Sequence, residues 1–386
     1  MDTIRILGDL VAFDTTSRLS NLPLLQYVTA LLDRHGIEPR LIYNDDRTKA
    51  NLWATVGPPG PGGIILSGHT DTVPVDNQDW TKDPFKLTEQ EGLMYARGAC
   101  DMKGFLASVL AALPEMVDAD LKRPIHLAFS HDEELGCVGV RSLIEELRVD
   151  SPGAAFCIVG EPTEMTPVIG HKGGQSYKVR VEGREAHSSL APHAVNAIEY
   201  AAELIVFLRK IAERMRDRAC DDLYDVPRST LSTGMISGGS AINIVPRQCE
   251  FVFEFRYLRG VEPAEVMNDI QHYVAATLEP AMQAVAPEAR ITFENNYAYP
   301  HFEIDPAAEL VSLTKAWAGR NREAKVAYGT EAGYFSGTLG IPTIVCGPGS
   351  IIQAHKPDEY ISRDQLDRCD RFLRKVIEFA RVQGSP

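Results

Sequence analysis

GGIILSGHTDTV, residues 62–73, is a short apolar run that ends in a cluster of polar side chains. Its length and its flanking glycines predict a buried strand with His69 and Asp71 at the C-terminal end. The same design recurs in IHLAFSHDEE (125–134), which ends in Glu133 and Glu134, and in AAFCIVGEPT (154–163), which ends near Glu161. A fourth run, IPTIVCGPG (341–349), reads as one more strand. Helical apolar spacing fills the intervals, at 22–36, 103–117, 140–148, 306–318 and 363–381. Strands that alternate with helices predict an α/β sheet with helices on its faces. In such sheets ligands collect at the carboxyl ends of the strands, and that is where these acids and imidazoles recur.

The texture changes near residue 173. GQSYKVRVEGREAHSS alternates like a half-exposed antiparallel strand, and a long helix follows over about 193–217. Two further strands precede residue 258, and a second helix lies near 263–279. This β-α-β-β-α-β order predicts a small ferredoxin-like α+β domain inserted into the larger one. The expected organisation is a catalytic domain in two parts, 1–172 and 296–386, around an insert at 173–295.

At 386 residues, 44% hydrophobic and 24% charged, the chain has the composition of an ordinary two-domain globular protein. A net charge of -14 argues against nucleic acid and anionic membrane as partners. The seven cysteines are scattered with no C-x-x-C, which suits free thiols in a reducing compartment. MDTIRILGDLVAFDTTS reads as a first helix and not a signal peptide. No apolar run reaches 18 residues, so no membrane span is expected and a cytoplasmic location follows.

The chemistry rests on His69, Asp101 in ARGACDMKG, the pair Glu133–Glu134, Glu161, and His355 in QAHKPDEY. This nitrogen and oxygen set suits two zinc-class ions that share a carboxylate. One glutamate of the pair then stays free as a base. Each residue also has a plainer reading: a satisfied structural histidine, an N-cap aspartate at 101, two acids on a surface loop. Their recurrence at strand ends favours the metal reading. Asp71, two residues after His69, is placed beside the ligands and the base. Two ions about 3.5–4 Å apart bring the pKa of a shared water toward ~7, and a glutamate can pass its proton to a leaving amine. G-x-S-x-G, H-E-x-x-H and a P-loop are all absent from the sequence.

GHTDTVP, ARGACDMKG, DEE, GEPT and the late His355 together resemble the M20 metallopeptidase and deacylase family, in order along nearly the whole chain. The resemblance implies a di-zinc amidohydrolase with a lid or dimerisation domain. By matched motifs His69, Asp101 and Glu161 hold one ion, and Asp101, Glu134 and His355 the other. Glu133 is then the general base with Asp71 beside it. The two ions are expected to be Zn2+, with Co2+ as the alternative. In GREAHSS, His187 matches a residue that enters the partner subunit's site in dimeric members and stabilises the oxyanion; a homodimer is therefore expected. Asn243 in AINIVP and Arg256 in FEFRYL match substrate contacts, Arg256 to a carboxylate.

Within the family the chain is most similar to the branch that deacetylates N-acetylornithine, a step of arginine biosynthesis. The matching stretches include DTTSRLSNLPLLQYV, NLWATVGP, YGTEAGYF and VCGPGSIIQAHKPDEY. Glu331 is expected to meet the cationic amine of ornithine. The alternatives are another N-acyl-amino-acid deacylase, a succinyl-diaminopimelate desuccinylase and, outside the enzymes, a non-catalytic binding relative.

Overall fold

The structure, a computed structural model, describes residues 2–216 and 219–382. The chain divides into two compact units: residues 1–171, 302–325 and 330–386 form the first, and 172–301 with 326–329 the second. Among the described residues no helix is long and apolar enough to cross a membrane.

The first unit is built on a nine-stranded mixed sheet. Its order is Arg40–Tyr43, Ala50–Val56, Ile125–Ser130, Gly63–His69, Ala154–Pro162, Thr343–Gly347, Val168–His171 and Phe302–Glu303, with Ala324–Val326 branching from Val168–His171. The middle four, Ile125–Ser130, Gly63–His69, Ala154–Pro162 and Thr343–Gly347, run parallel, and the other pairs along the eight-strand path are antiparallel. Gly63–His69 and Ile125–Ser130 are buried at every position. That explains their continuous apolar sequence, since parallel strands covered on both faces have no solvent side. Helices Thr3–Val11, Leu22–Asp33, Lys103–Ala111, Glu309–Ala318 and Arg363–Ala380 send their apolar residues into one shared core.

Two glycines let Lys103–Ala111 close onto the strands. A Cβ on Gly68 would lie 2.6 Å from Met102 Cε, and one on Gly160 would lie 2.1 Å from the Phe105 ring. These are the glycines of S-G-H-T and V-G-E-P. They allow the helix to sit directly beneath the strand ends that carry His69 and Glu161.

The second unit holds a four-stranded antiparallel sheet in the order Thr230–Gly238, Gln248–Tyr257, Gly173–Glu182, Arg290–Tyr299. Helices Ala197–Met215 and Pro263–Tyr273 share its core. With chain order β-α-β-β-α-β and the first strand flanked by the third and fourth, this is the ferredoxin-like arrangement. Gln248–Tyr257 alternates strictly, and Cys249, Phe251, Phe253, Phe255 and Tyr257 turn inward. The helix expected over 193–217 spans Ala197–Met215; residue 217 lies outside the described residues. Beyond Pro263–Tyr273 the chain widens into a π-helical turn, Val274–Leu278, and continues as Glu279–Gln283. Pro280 has no N–H for the carbonyl four residues back. The widened turn accommodates it, with the Glu279 N–H reaching the Val274 carbonyl.

Candidate metal centre

His69 ends its strand opposite Ser130 of the neighbouring parallel strand. Its Nδ1 lies 2.9 Å from the Asp71 backbone carbonyl. A carbonyl only accepts, so Nδ1 donates there and fixes the ring, which turns Nε2 toward the acids. That nitrogen faces Asp101 Oδ1 at 3.1 Å and Glu161 Oε1 at 3.9 Å. The other Asp101 oxygen, Oδ2, lies 3.3 Å from His355 Nε2, which is also 3.1 Å from Glu134 Oε2. The Asp101 carboxylate therefore stands between two imidazoles, one oxygen toward each. Ligand atoms of His69, Glu133 and Glu161, and of His69, Asp101 and Glu134, converge within 4.8 Å in each group. The helix after Asp101 has Met102 at its N-cap and no side-chain cap, so the carboxylate of Asp101 is not occupied in capping.

The electrostatics of this cluster are those of an anionic hole. Burial, opposed by His69 and reinforced by Glu134, Glu331 and Asp101, pushes Glu133 up to about 8. Burial raises Glu134 and takes Glu161 well above the carboxylate range. Burial would raise Asp101 too, but the hydrogen bonds of His355 and His69 hold it low. Asp101 and Glu134 in turn raise His355 to about 10. Glu134 Oε1 and Glu161 Oε1 are buried without a hydrogen-bond partner. An unmet buried oxygen costs about 1–3 kcal/mol, more when charged. Divalent cations would satisfy both oxygens at once, and the His/Asp/Glu set is the chemistry that zinc-class ions accept. The residues fit a metal.

Around the cluster several side chains hold the backbone. Asp71 accepts the N–H of Glu133 at 3.1 Å on Oδ1, and that of Glu134 at 3.3 Å and the Ser17 hydroxyl at 2.7 Å on Oδ2. It thereby fixes the loop that aims the glutamate pair. The Cys137 thiol donates to Glu133 Oε1 at 3.2 Å. Glu331 is 1% exposed, and its two oxygens accept the hydroxyls of Ser67, at 3.3 Å, and Ser130; burial raises it to about 7. Reading the sequence passed over Arg97 and Glu359, a wholly buried ion pair at 2.7 Å. The signal was present, because both charges sit inside quoted motifs, ARGACDMKG and QAHKPDEY.

The remaining candidates lie in the second unit. Residues Ala186–His187 pair with Ile244–Val245, and the Ser188 N–H donates to the Asn243 carbonyl at 2.9 Å, so His187 and Asn243 are neighbours. His187 is exposed. Its Nδ1 accepts the Ser189 N–H at 3.3 Å, which leaves Nε2 as an outward donor. The guanidinium of Arg256 is held by both oxygens of Glu254, at 2.7 and 3.1 Å, and lies 3.0 Å from the Tyr299 hydroxyl. Its fork is thus already shaped around a carboxylate.

The chain is similar to proteins already known. The profile of Peptidase family M20/M25/M40 matches residues 65–378. The chain is 38% identical to an acetylornithine deacetylase of Klebsiella pneumoniae, over 86% of this chain and 84% of that one. It is 35% identical to the acetylornithine deacetylase of Pasteurella multocida, over 93% and 91%. Among solved structures, the M20 family metallo-carboxypeptidase Sso-CP2 from Sulfolobus solfataricus superposes with a TM-score of 0.79 at 18% identity, covering 99% of this chain and 100% of that one. Profile, relatives and fold concur: the chain belongs to peptidase family M20/M25/M40.

Proposed function

We propose that the protein hydrolyses the acetyl amide of N2-acetyl-L-ornithine, releasing L-ornithine and acetate. The observation that carries this reading is the convergence of His69, Asp101, Glu133, Glu134, Glu161 and His355. It occurs in a chain 35–38% identical to proteins named acetylornithine deacetylase. His69, Asp101 and Glu161 would hold one divalent ion, and Asp101, Glu134 and His355 the other, with zinc preferred and cobalt as the alternative. Bound there, the ions supply Lewis acidity that polarises the acyl carbonyl and acidifies water.

Glu133 takes a proton from the attacking water on its carboxylate. It returns that proton to the leaving nitrogen as the C–N bond breaks, so acetate leaves with the water oxygen and ornithine with a free amine. Asp71 keeps Glu133 on target through its backbone hydrogen bonds. His187 offers Nε2–H to the developing oxyanion, which in this reading requires a homodimer. Arg256 would receive the substrate carboxylate in exchange for Glu254, which holds its Nε and Nη2 here, and Asn243 lies beside His187 as a further contact. Glu331 has two candidate roles, and Glu331→Gln separates them. A KM rise confined to acetylornithine supports an amine contact. Equal loss on acetylmethionine supports holding the strands through Ser67 and Ser130. A place in arginine biosynthesis and in the cytoplasm completes the reading, and the seven unpaired cysteines accord with a reducing compartment.

The deciding experiment follows acetate release from N-acetylornithine beside N-succinyl-diaminopimelate hydrolysis and acetylmethionine deacetylation. Preference for acetylornithine, abolished by chelator and restored by zinc or cobalt, is the expected result. Turnover of a different acyl substrate alone would overturn the substrate assignment and leave the hydrolytic chemistry standing.

A further inference from the structure

Asp101 and His355 are separated by 254 positions, yet their side chains must meet within a fraction of an ångström for one carboxylate to serve two sites. One buried network touches the backbone at both. Glu359 Oε1 accepts the N–H of Cys100 at 2.9 Å and of Asp101 at 3.1 Å, and Oε2 takes Arg97 Nη1 at 2.7 Å. Arg97 donates further to the carbonyls of Lys356, at 3.3 Å, and Pro74, at 3.4 Å, and to Gln78 Oε1. Gln78 Nε2 then donates to the His355 carbonyl at 3.1 Å. Trp80 closes the outer side, with its indole N–H 3.1 Å from Gln78 Oε1 and its ring 5.0 Å from the Arg97 guanidinium.

Arg97 and Glu359 are each 1% exposed. A buried ion pair is a poor source of stability, because desolvating both charges offsets most of their attraction. An apolar pair of similar volume would fill the space at least as well. What an apolar pair cannot do is grip two successive N–H groups at Asp101 and the carbonyl chain around His355. His355 itself sits in the left-handed region, at φ 63, a conformation that a non-glycine residue keeps only when its surroundings impose it.

From this geometry we infer that Arg97, Glu359 and Gln78 are positioning residues that set the Asp101 and His355 loops against one another for metal binding. The inference rests on the two-ion reading of the site. It assigns the Glu359 carboxylate no contact with metal or substrate; its work is done through the Cys100 and Asp101 amides.

The test titrates metal-free full-length protein with Co2+ and follows visible absorption, alongside calorimetric stoichiometry, thermal unfolding, kcat and KM. Wild type is expected to take up two ions. Glu359→Gln keeps the shape and one acceptor but turns an amide toward Arg97. It is expected to weaken uptake of at least one ion by about 10–100-fold, the usual effect of losing a group that orients a ligand. Its cobalt spectrum should be altered, and kcat should fall more than KM changes. Gln78→Ala, at a half-buried position, gives a second reading if Glu359→Gln folds poorly. It should weaken uptake several-fold and leave the unfolding temperature near wild type. Unchanged affinity and spectrum in both variants, with any loss confined to the unfolding temperature, would overturn the positioning role. A wild type that binds no metal would overturn the underlying site reading instead.

Discussion

The two units of the molecule handle charge in opposite ways. On the ferredoxin-like sheet, acids and bases are interleaved across strands. Arg180 lies between Glu250 at 2.6 Å and Glu294 at 3.4 Å, Arg290 meets Glu182, and Arg184 meets Glu288 at 2.6 Å. These pairs are largely exposed and screened by solvent, so each contributes little. At the carboxyl ends of the parallel strands, Asp101, Glu133, Glu134 and Glu161 are gathered in a buried place where the described basic partners are two imidazoles. An arrangement that collects acids with no lysine or arginine among their described ion-pair partners is incomplete as a structure and complete as a receptor for cations. The contrast separates a unit that is finished by its own residues from one that needs something added.

Removing the added component should therefore have the largest effect and should be confined to one unit. Chelation is expected to abolish turnover and to destabilise the first unit alone. Trp53, Trp80 and Trp317, the chain's three tryptophans, all belong to that unit, so their fluorescence reports it selectively. Ions present at ~1,000 times their dissociation constant stabilise by about 4 kcal/mol per site. The tryptophan-monitored denaturation midpoint should fall accordingly when the ions are withdrawn. An unchanged midpoint and undiminished turnover in chelator would break the comparison at its root.

Next in size is Glu133→Gln. It removes one acid from the cluster without removing shape, and about 10²–10⁴-fold of kcat should go with it while two ions remain bound by calorimetry. Normal turnover would take Glu133 out of the base role. His187→Ala should follow at about 10²–10³-fold in kcat, the cost of a lost oxyanion donor, with metal affinity untouched. This variant probes the second unit. If it altered ion uptake, the division of labour between the units would be wrong.

Much of this was legible in the sequence because it is local. A strand buried on both faces writes itself as I-I-L-S-G or H-L-A-F-S, and the polar residues that follow mark the ligand edge. The alternation of Q-C-E-F-V-F-E-F-R-Y likewise reports one covered face. What a sequence does not display is which of its motifs touch. Arg97 and Glu359 stand 262 positions apart, and either alone reads as an ordinary charged residue at the end of a motif. Ser67 and Ser130 look like incidental polar breaks in apolar strands, yet both hydroxyls turn to Glu331. Sequence could place Glu331 near the site, but the two hydroxyls on its carboxylate became visible only with the fold. The π-helical turn at Val274–Leu278 is the reverse case: the expected helix ends at 279, before Pro280, whereas the chain stays helical through Gln283.

The smallest effect sharpens the comparison inside the first unit, away from the acids. His126 lies on the same strand as Ser130 but near its amino end, and it is 5% exposed. Its ring stacks on Trp53 at 4.8 Å, and its Nδ1 lies 3.0 Å from the Thr55 hydroxyl. Nε2 has no hydrogen-bond partner, and a Cβ on Gly63 would come within 2.5 Å of it. Burial lowers His126 to about 4, so the fold holds it neutral where the unfolded chain would protonate near 6.5. The stability this represents is present above pH 6.5 and is lost as the pH falls from there toward 4, with a ceiling of about 3 kcal/mol. His126→Phe keeps a ring over Trp53 and removes the proton site. Its tryptophan-monitored urea midpoint should fall less steeply than wild type's between pH 6.5 and 4, by about one proton's worth of slope. Parallel slopes would mean that the ring becomes protonated without leaving its place. The amino ends of these strands would then tolerate charge as their carboxyl ends do.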